Sequence, residues 1–130
     1  MACLSNFLWE RGLDRLIAIA QSLQTRGRKD IRFVVAGDMT LPKYLAGKLG
    51  DIGRQGGSLA DYAKFQGVAD MFLFLGHVPD PERVLAAAGL LIKPTRESNP
   101  WGRDFIEALA AGKPVASFGT YSKFVEDGKT

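Results

Sequence analysis

Apolar positions along this chain follow two rhythms that take turns. Leu13, Leu16, Ile17, Ala20 and Leu23 fall at helical spacing, and Gly27 supplies a stop signal. IRFVVAG, from Ile31 to Gly37, is a short β-branched run ending on glycine, which predicts a strand. MFLFLG (Met71 to Gly76), the run Leu90 to Lys93 and PVASF (Pro114 to Phe118) repeat that signature. Helical stretches separate them. SLADYAKFQG reads as a helix capped by Ser58, with Asp61 in its first turn and Gly67 as terminator. Asp80 and Pro81 open PERVLAAAG, stopped by Gly89. A third helix opens near Trp101 or Gly102, runs from Phe105 to Ala111 and ends at Gly112. Residues 41–57, broken by Pro42 and repeated glycines, read as irregular with a short helix around Tyr44 to Leu49. The tail predicts one helical turn from Ser122 to Glu126, closed by Gly128.

Strands and helices alternating over short connections predict a parallel sheet covered on both faces, a Rossmann-like doubly wound α/β fold. The strands are apolar throughout, as burial on both faces requires. At 130 residues the chain is one domain with room for a real core. SNFLWERG leads straight into the first helix, and too few residues precede it for the strand such a helix normally follows. The expectation is therefore that the chain begins inside a longer protein.

Composition narrows the chemistry modestly. A hydrophobic content of 46% and a charged content of 24% are those of an ordinary soluble domain. The net charge of +3 favours anionic ligands and is too small to argue for nucleic acid. Its one tight basic cluster, Arg26, Arg28 and Lys29, sits at a predicted helix end, where cations complement the dipole. The single Cys3 excludes an internal disulfide, and the single His77 cannot hold a metal alone. No apolar run approaches a membrane span and the first residues lack a signal-peptide pattern, so a cytoplasmic protein is expected.

In a doubly wound sheet ligands bind outside the carboxyl ends of the strands. Three loops fall there: Asp38–Met39–Thr40, His77–Val78–Pro79, and Thr95 to Trp101. The last, with its flanks, carries Lys93, Arg96, Glu97, Asn99, Arg103, Asp104 and Glu107, more polar chemistry than a plain turn needs. The following helix offers unpaired N–H groups to an anion. No G-x-G-x-x-G and no G-x-x-x-x-G-K-[ST] follows any strand, which counts against dinucleotide redox chemistry and P-loop hydrolysis.

Four stretches carry a resemblance. WERGLDRLI is similar to K-G-x-x-x-L-I, FVVAGDM to a strand ending in G-D-G, and FLFLGHV to F-L-G-x-V. NPWGRDFIEALAAGKPVASF is similar to E-x-F-G-x-x-x-x-E-A-M-A-x-G-x-P-V-V-A. In that order they resemble the C-terminal, donor-binding domain of a group 1 glycosyltransferase with the GT-B fold, over nearly the whole chain.

The resemblance implies roles for particular residues. Glu107 matches the acidic residue that accepts hydrogen bonds from the nucleotide's ribose. Asn99 stands where the family has a second acid. A role orienting the donor sugar survives there, beside the simpler reading of Asn99 as a helix cap. Glu97 substitutes for that acid if the loop bulges. Gly102 lets the helix's first N–H groups approach a diphosphate, and Trp101 packs. Arg11 matches a lysine that meets the diphosphate, while Asn6 replaces the arginine that partners it. Either Arg96 or Arg103 then replaces the lost cation, or the donor differs from the usual one. His77 and Val78 lie where the base is cupped by backbone groups. Asp38 matches the G-D position, as ligand contact or as turn residue. Lys123 stands where many members carry a glutamate.

Together these imply the donor-binding half of a retaining glycosyltransferase, moving a sugar from a nucleoside-diphosphate sugar to an acceptor hydroxyl. Arg11, Asn99 and Glu107 would be catalytic, and Asp38, His77, Val78, Gly102 and Arg103 would hold the donor. No cofactor or metal is implied, and the acceptor domain would lie outside these residues. The alternative is a non-catalytic module that uses the same cleft for a phosphate ligand or a protein partner. It draws on the departures at Asn6 and Asn99.

Overall fold

The computed structural model describes residues 1–98 and 100–119. Asn99, the turn expected at 122–126 and Lys123 lie outside the described residues. The sheet has five strands, all parallel: β1 (Ala2–Leu4), β2 (Phe33–Ala36), β3 (Phe72–Gly76), β4 (Leu91–Lys93) and β5 (Val115–Ser117). Their order is β3-β2-β1-β4-β5, the doubly wound arrangement, with its direction reversing between β1 and β4.

The strand expected to be missing is present, and it is the middle one. β1 pairs Ala2 with Val34 and Leu4 with Ala36 on one side, and Ala2 with Leu91 on the other. It escapes pattern reading because it is three residues long and contains no β-branched residue. Ala2 and Cys3 suit a site enclosed by helices on both sides, where small side chains let the layers close in.

Helices α1 (Asp14–Thr25), α2 (Gly47–Arg54) and α3 (Leu59–Phe65) cover one face. Leu16, Ile17, Ala20, Ile52, Leu59 and Ala63 form a core there with Cys3, Phe33, Val35 and Ile92. Helices α4 (Pro81–Ala87) and α5 (Arg103–Ala110) cover the other face, where Leu85 and Ala108 meet Leu91, Leu4 and Val115. Alternate residues of each strand thus feed opposite cores.

Most local signals act as written, although Asp80, expected as the cap of α4, makes no side-chain bond to the helix start. α1 ends in a Schellman motif around Gly27 (φ +73°): Arg28 N–H donates to Leu23 O (2.9 Å) and Gly27 N–H to Gln24 O (3.0 Å). Ser58 N–H donates to the Asp61 carboxylate (2.8 Å), a capping-box contact at the start of α3.

Two expectations are corrected. α2 runs from Gly47 to Arg54, not from Tyr44 to Leu49, because its glycines serve packing rather than breakage. A Cβ on Gly53 would come within 2.5 Å of the Pro42 carbonyl, and one on Gly50 would collide with Leu45 O. Glycine costs about 1 kcal/mol in a helix interior, and close approach of the 41–45 segment offsets it. β3 was expected to be buried; it is an edge strand, with Leu73 56% and Leu75 39% exposed. Its Phe72 and Phe74 face the other way and stack with Phe33 in a ladder with centroid spacings of 4.9 and 5.3 Å.

Candidate functional site

The carboxyl ends of β1 and β4 diverge where the strand order reverses, and the loops after them enclose a cavity of about 840 Å³. The loops after β2 and β3 complete its wall, through Gly37 and through His77, Val78 and Pro79. Of the residues singled out from sequence, Arg11, His77, Val78, Gly102, Arg103 and Glu107 all line it, and so do Asn6, Glu97 and Trp101.

Backbone hydrogen bonds lace the loops together. Phe7 N–H donates to Asp38 O (2.7 Å), and Gly37 N–H to Gly76 O (2.7 Å). Gly37 has φ +132°, and a Cβ there would collide with the Ser5 carbonyl, so only glycine lets these two loops touch. Asn6 Oδ1 accepts from Asp38 N–H (2.9 Å). Where the resemblance places a phosphate-binding arginine, this chain has a side chain that ties the β1 and β2 loops.

Asp38 itself does not line the cavity. Its carboxylate accepts from Thr40 N–H (2.9 Å) and Thr40 Oγ1 (2.7 Å), the turn role rather than the ligand contact. These bonds, the hydroxyl first, hold its pKa below the ordinary 3.8. Because the folded-state pKa is depressed, the contribution to stability is present above the unfolded value and fades as pH falls through the folded one. A carboxyl-carbon NMR titration should give Asp38 a midpoint below 3.8, and Thr40→Ala should return it toward that value.

Arg11 ends a turn of 3-10 helix, Trp9–Arg11, between β1 and α1. Its Nη1 donates to Ser5 Oγ (2.9 Å), and it makes no ion pair among the described residues. An exposed guanidinium with most of its donors unused, at the mouth of a cavity, is suited to an oxyanion.

The two other arginines expected to supply a cation are committed elsewhere. Arg96 does not line the cavity; it forms a bidentate pair with Asp14, with both N–O distances 2.8 Å. Arg103 Nε donates to Glu107 Oε1 (2.8 Å) one turn along α5, with side chains 90% and 31% exposed. Solvent screens such a pair, so Arg103→Ala should cost no more than about 0.5 kcal/mol in a urea unfolding experiment. The Glu107 carboxylate can exchange this partner for a ligand hydroxyl at little cost.

A cation that sequence reasoning left without a role lies at the root of α5. Lys93, the last residue of β4, lines the cavity, and its Nζ is 2.7 Å from Asp104 Oδ1 in a mostly buried pair. The same oxygen accepts from Phe105 N–H (2.9 Å) in the first turn of α5. Gly102 makes room for them: a Cβ there would lie 2.7 Å from Lys93 Nζ and 3.1 Å from Asp104 Oδ1. Gly102 therefore leaves room for this pair at the helix start. A lysine ending an apolar strand, with an acid in the following helix, is the signal that could have found the pair.

Cys3 also lines the cavity, and burial pushes its thiol up to about 12, with Asp104 adding to the shift and Lys93 and Arg11 opposing it. It stays a neutral packing group rather than a nucleophile. Trp101 tilts against Phe105, with ring centroids 5.3 Å apart. Among the described residues no cluster of three or more His, Cys, Asp or Glu could hold a metal ion, and no helix is long and apolar enough to cross a membrane.

The sequence matches the family model described as glycosyl transferases group 1 over residues 1–130. No curated protein matches it. Among solved structures, Anabaena HepE in complex with UDP-glucose is similar at 26% identity and TM-score 0.69, over 96% of this chain and 31% of that one. WaaG, a glycosyltransferase involved in lipopolysaccharide biosynthesis, is similar at 24% identity and TM-score 0.64, over 92% of this chain and 29% of its own. A TarM variant from S. aureus, in complex with fondaparinux, alpha-GlcNAc-glycerol and UDP, shares the fold at 21% identity and TM-score 0.71, over 98% and 23%. The chain thus spans less than a third of the length of each of these proteins.

Proposed function

Because the chain belongs to the group 1 glycosyltransferase family, we propose that it is the donor-binding half of a retaining, hexosyl-transferring enzyme whose acceptor domain lies elsewhere in a longer protein. The donor is a nucleoside-diphosphate sugar. The observation that carries this reading is the cavity at the switch between β1 and β4, onto which Arg11, Glu107 and the start of α5 converge. HepE, the relative bound to UDP-glucose, makes a uridine nucleotide the first donor to try.

In this reading the diphosphate lies against the first N–H groups of α5 and the Arg11 guanidinium, which stabilise the charge that develops as the sugar departs. Glu107 accepts hydrogen bonds from the ribose hydroxyls, charge-assisted and so stronger than neutral ones. Backbone groups at His77 and Val78 meet the base, Arg103 stands at the outer rim, and Asn99 orients the sugar. Cations and a helix terminus meet the phosphates, so the reading needs no metal and no cofactor. The reading includes a cytoplasmic location. The non-catalytic alternative drew on Asn6 and Asn99, and the bond from Asp38 N–H to Asn6 gives the first of these a structural use compatible with catalysis.

Calorimetric titration with UDP, GDP and ADP and their glucose conjugates tests the proposal. Binding of one base family, with the sugar conjugate at least as tight, is the expected result. Absence of binding by every nucleotide at millimolar concentration would contradict it.

A further inference from the structure

The turn that carries Arg11 has no buried side chain of its own, and core packing reaches it only through the flanking Phe7 and Leu13. Further bonds to it come from the loop after β4. Arg96 N–H donates to Glu10 O (2.7 Å), Arg96 Nη1 to Trp9 O (2.7 Å), and Thr95 Oγ1 to Glu10 O (3.2 Å). The two carbonyls just before Arg11 are thus both held from across the cavity. The Arg96 guanidinium also lies over the Trp9 ring, with Cζ 3.5 Å from its centroid, and grips Asp14 in the first turn of α1 with two parallel bonds. From the other side Arg15 Nη1 donates to Pro94 O (3.3 Å) and Thr95 O (3.0 Å).

We infer that Arg96 is a positioning residue for donor binding, latching the Arg11 turn to the loop that leads into α5. The inference rests on the donor-site reading above. Arg96 does not line the cavity, so its effect on a nucleotide is indirect, and the turn it holds is the one that carries Arg11. A diphosphate held between Arg11 and the α5 N–H groups needs Arg11 in a defined place, and the latch holds the turn that carries it. Lysine at position 96 keeps the charge but loses the planar fork and the stacking, so the substitution is not conservative here.

The test is a double-mutant cycle on the 130-residue chain, with UDP affinity read by NMR chemical-shift titration and folding read by the thermal midpoint. Arg96→Lys should weaken UDP binding about tenfold in the native background and less than about twofold in Arg11→Ala, because sites coupled through a shared backbone shift are non-additive and independent ones add. A merely stabilising Arg96 lowers the midpoint but costs the same factor in both backgrounds, and that outcome overturns the inference. So does unchanged affinity. Should Arg96→Lys fail to fold, Asp14→Asn, which is isosteric and keeps one acceptor for the fork, runs the same cycle with the same expected asymmetry. If the native chain binds none of UDP, GDP and ADP at millimolar concentration, the donor reading falls and this inference with it; if it binds GDP or ADP instead of UDP, the cycle is run with that nucleotide. Binding with additive losses sinks the inference alone.

Discussion

Gly37→Ala should lower stability by about 3 kcal/mol or more, combining a backbone conformation that costs roughly 1–3 kcal/mol for any L side chain with a collision against main chain. The residue has φ +132°, and an added Cβ would overlap the Ser5 carbonyl, with Ser5 C at 2.6 Å and Asn6 N at 2.9 Å. Backbone atoms in two neighbouring strand ends cannot yield as a flexible side chain can. Such a loss is a large part of the ~5–15 kcal/mol that holds a typical domain. Gly27 supplies the control. Its φ of +73° is also left-handed, but nothing lies within 4 Å of an added Cβ, so Gly27→Ala should cost only about 1–2 kcal/mol. Urea unfolding of both variants checks the difference. Near-equal losses would mean that the contact between the β1 and β2 loops is looser than described.

Arg11→Ala should leave the thermal midpoint close to that of the native chain and weaken nucleotide binding by about 1.5–3 kcal/mol, roughly ten- to a hundredfold in Kd. The dissociation of the two effects follows from the surroundings of Arg11. It is exposed, has no carboxylate partner among the described residues, and bonds only to the Ser5 hydroxyl, so folding loses little without it. A diphosphate would lose the exposed cation at its mouth. Uridine, which lacks the phosphates, should bind both proteins equally, and a matching loss for uridine would place Arg11 elsewhere than at the diphosphate.

The fold class was legible because the strands are written as continuous apolar runs and their helices as periodic ones, even though the two edge strands, β3 and β5, prove largely exposed. What pattern reading missed were the places where tertiary contact overrides local preference. β1 is too short and too small in side chain to announce itself, and it becomes a strand because β2 and β4 enclose it. The glycines of α2 read as breakers until the close approach of the Pro42 and Leu45 carbonyls explains them. The site divides in the same way. Arg11, His77, Val78, Gly102, Arg103 and Glu107 were found by resemblance and line one cavity. Asp38 and Arg96 look equally functional in sequence, yet one closes its own turn and the other clamps Asp14. Polar residue types mark a loop as rich in chemistry, but only geometry says which of them face the ligand. Lys93 is the converse case, a cation hidden at the end of an apolar run that proves to line the cavity.

Mapping amide chemical shifts of the labelled chain on addition of UDP tests the central claim most directly, since it reports both whether a nucleotide binds and where. The donor-site account predicts saturable shifts at Ser5, Arg11, His77, Val78 and Gly102, with Glu107 among the affected helix residues and Gly27, in the turn between α1 and the amino end of β2, unmoved. No shifts with UDP, GDP or ADP at millimolar concentration, or shifts concentrated away from the β1 and β4 strand ends, would contradict it.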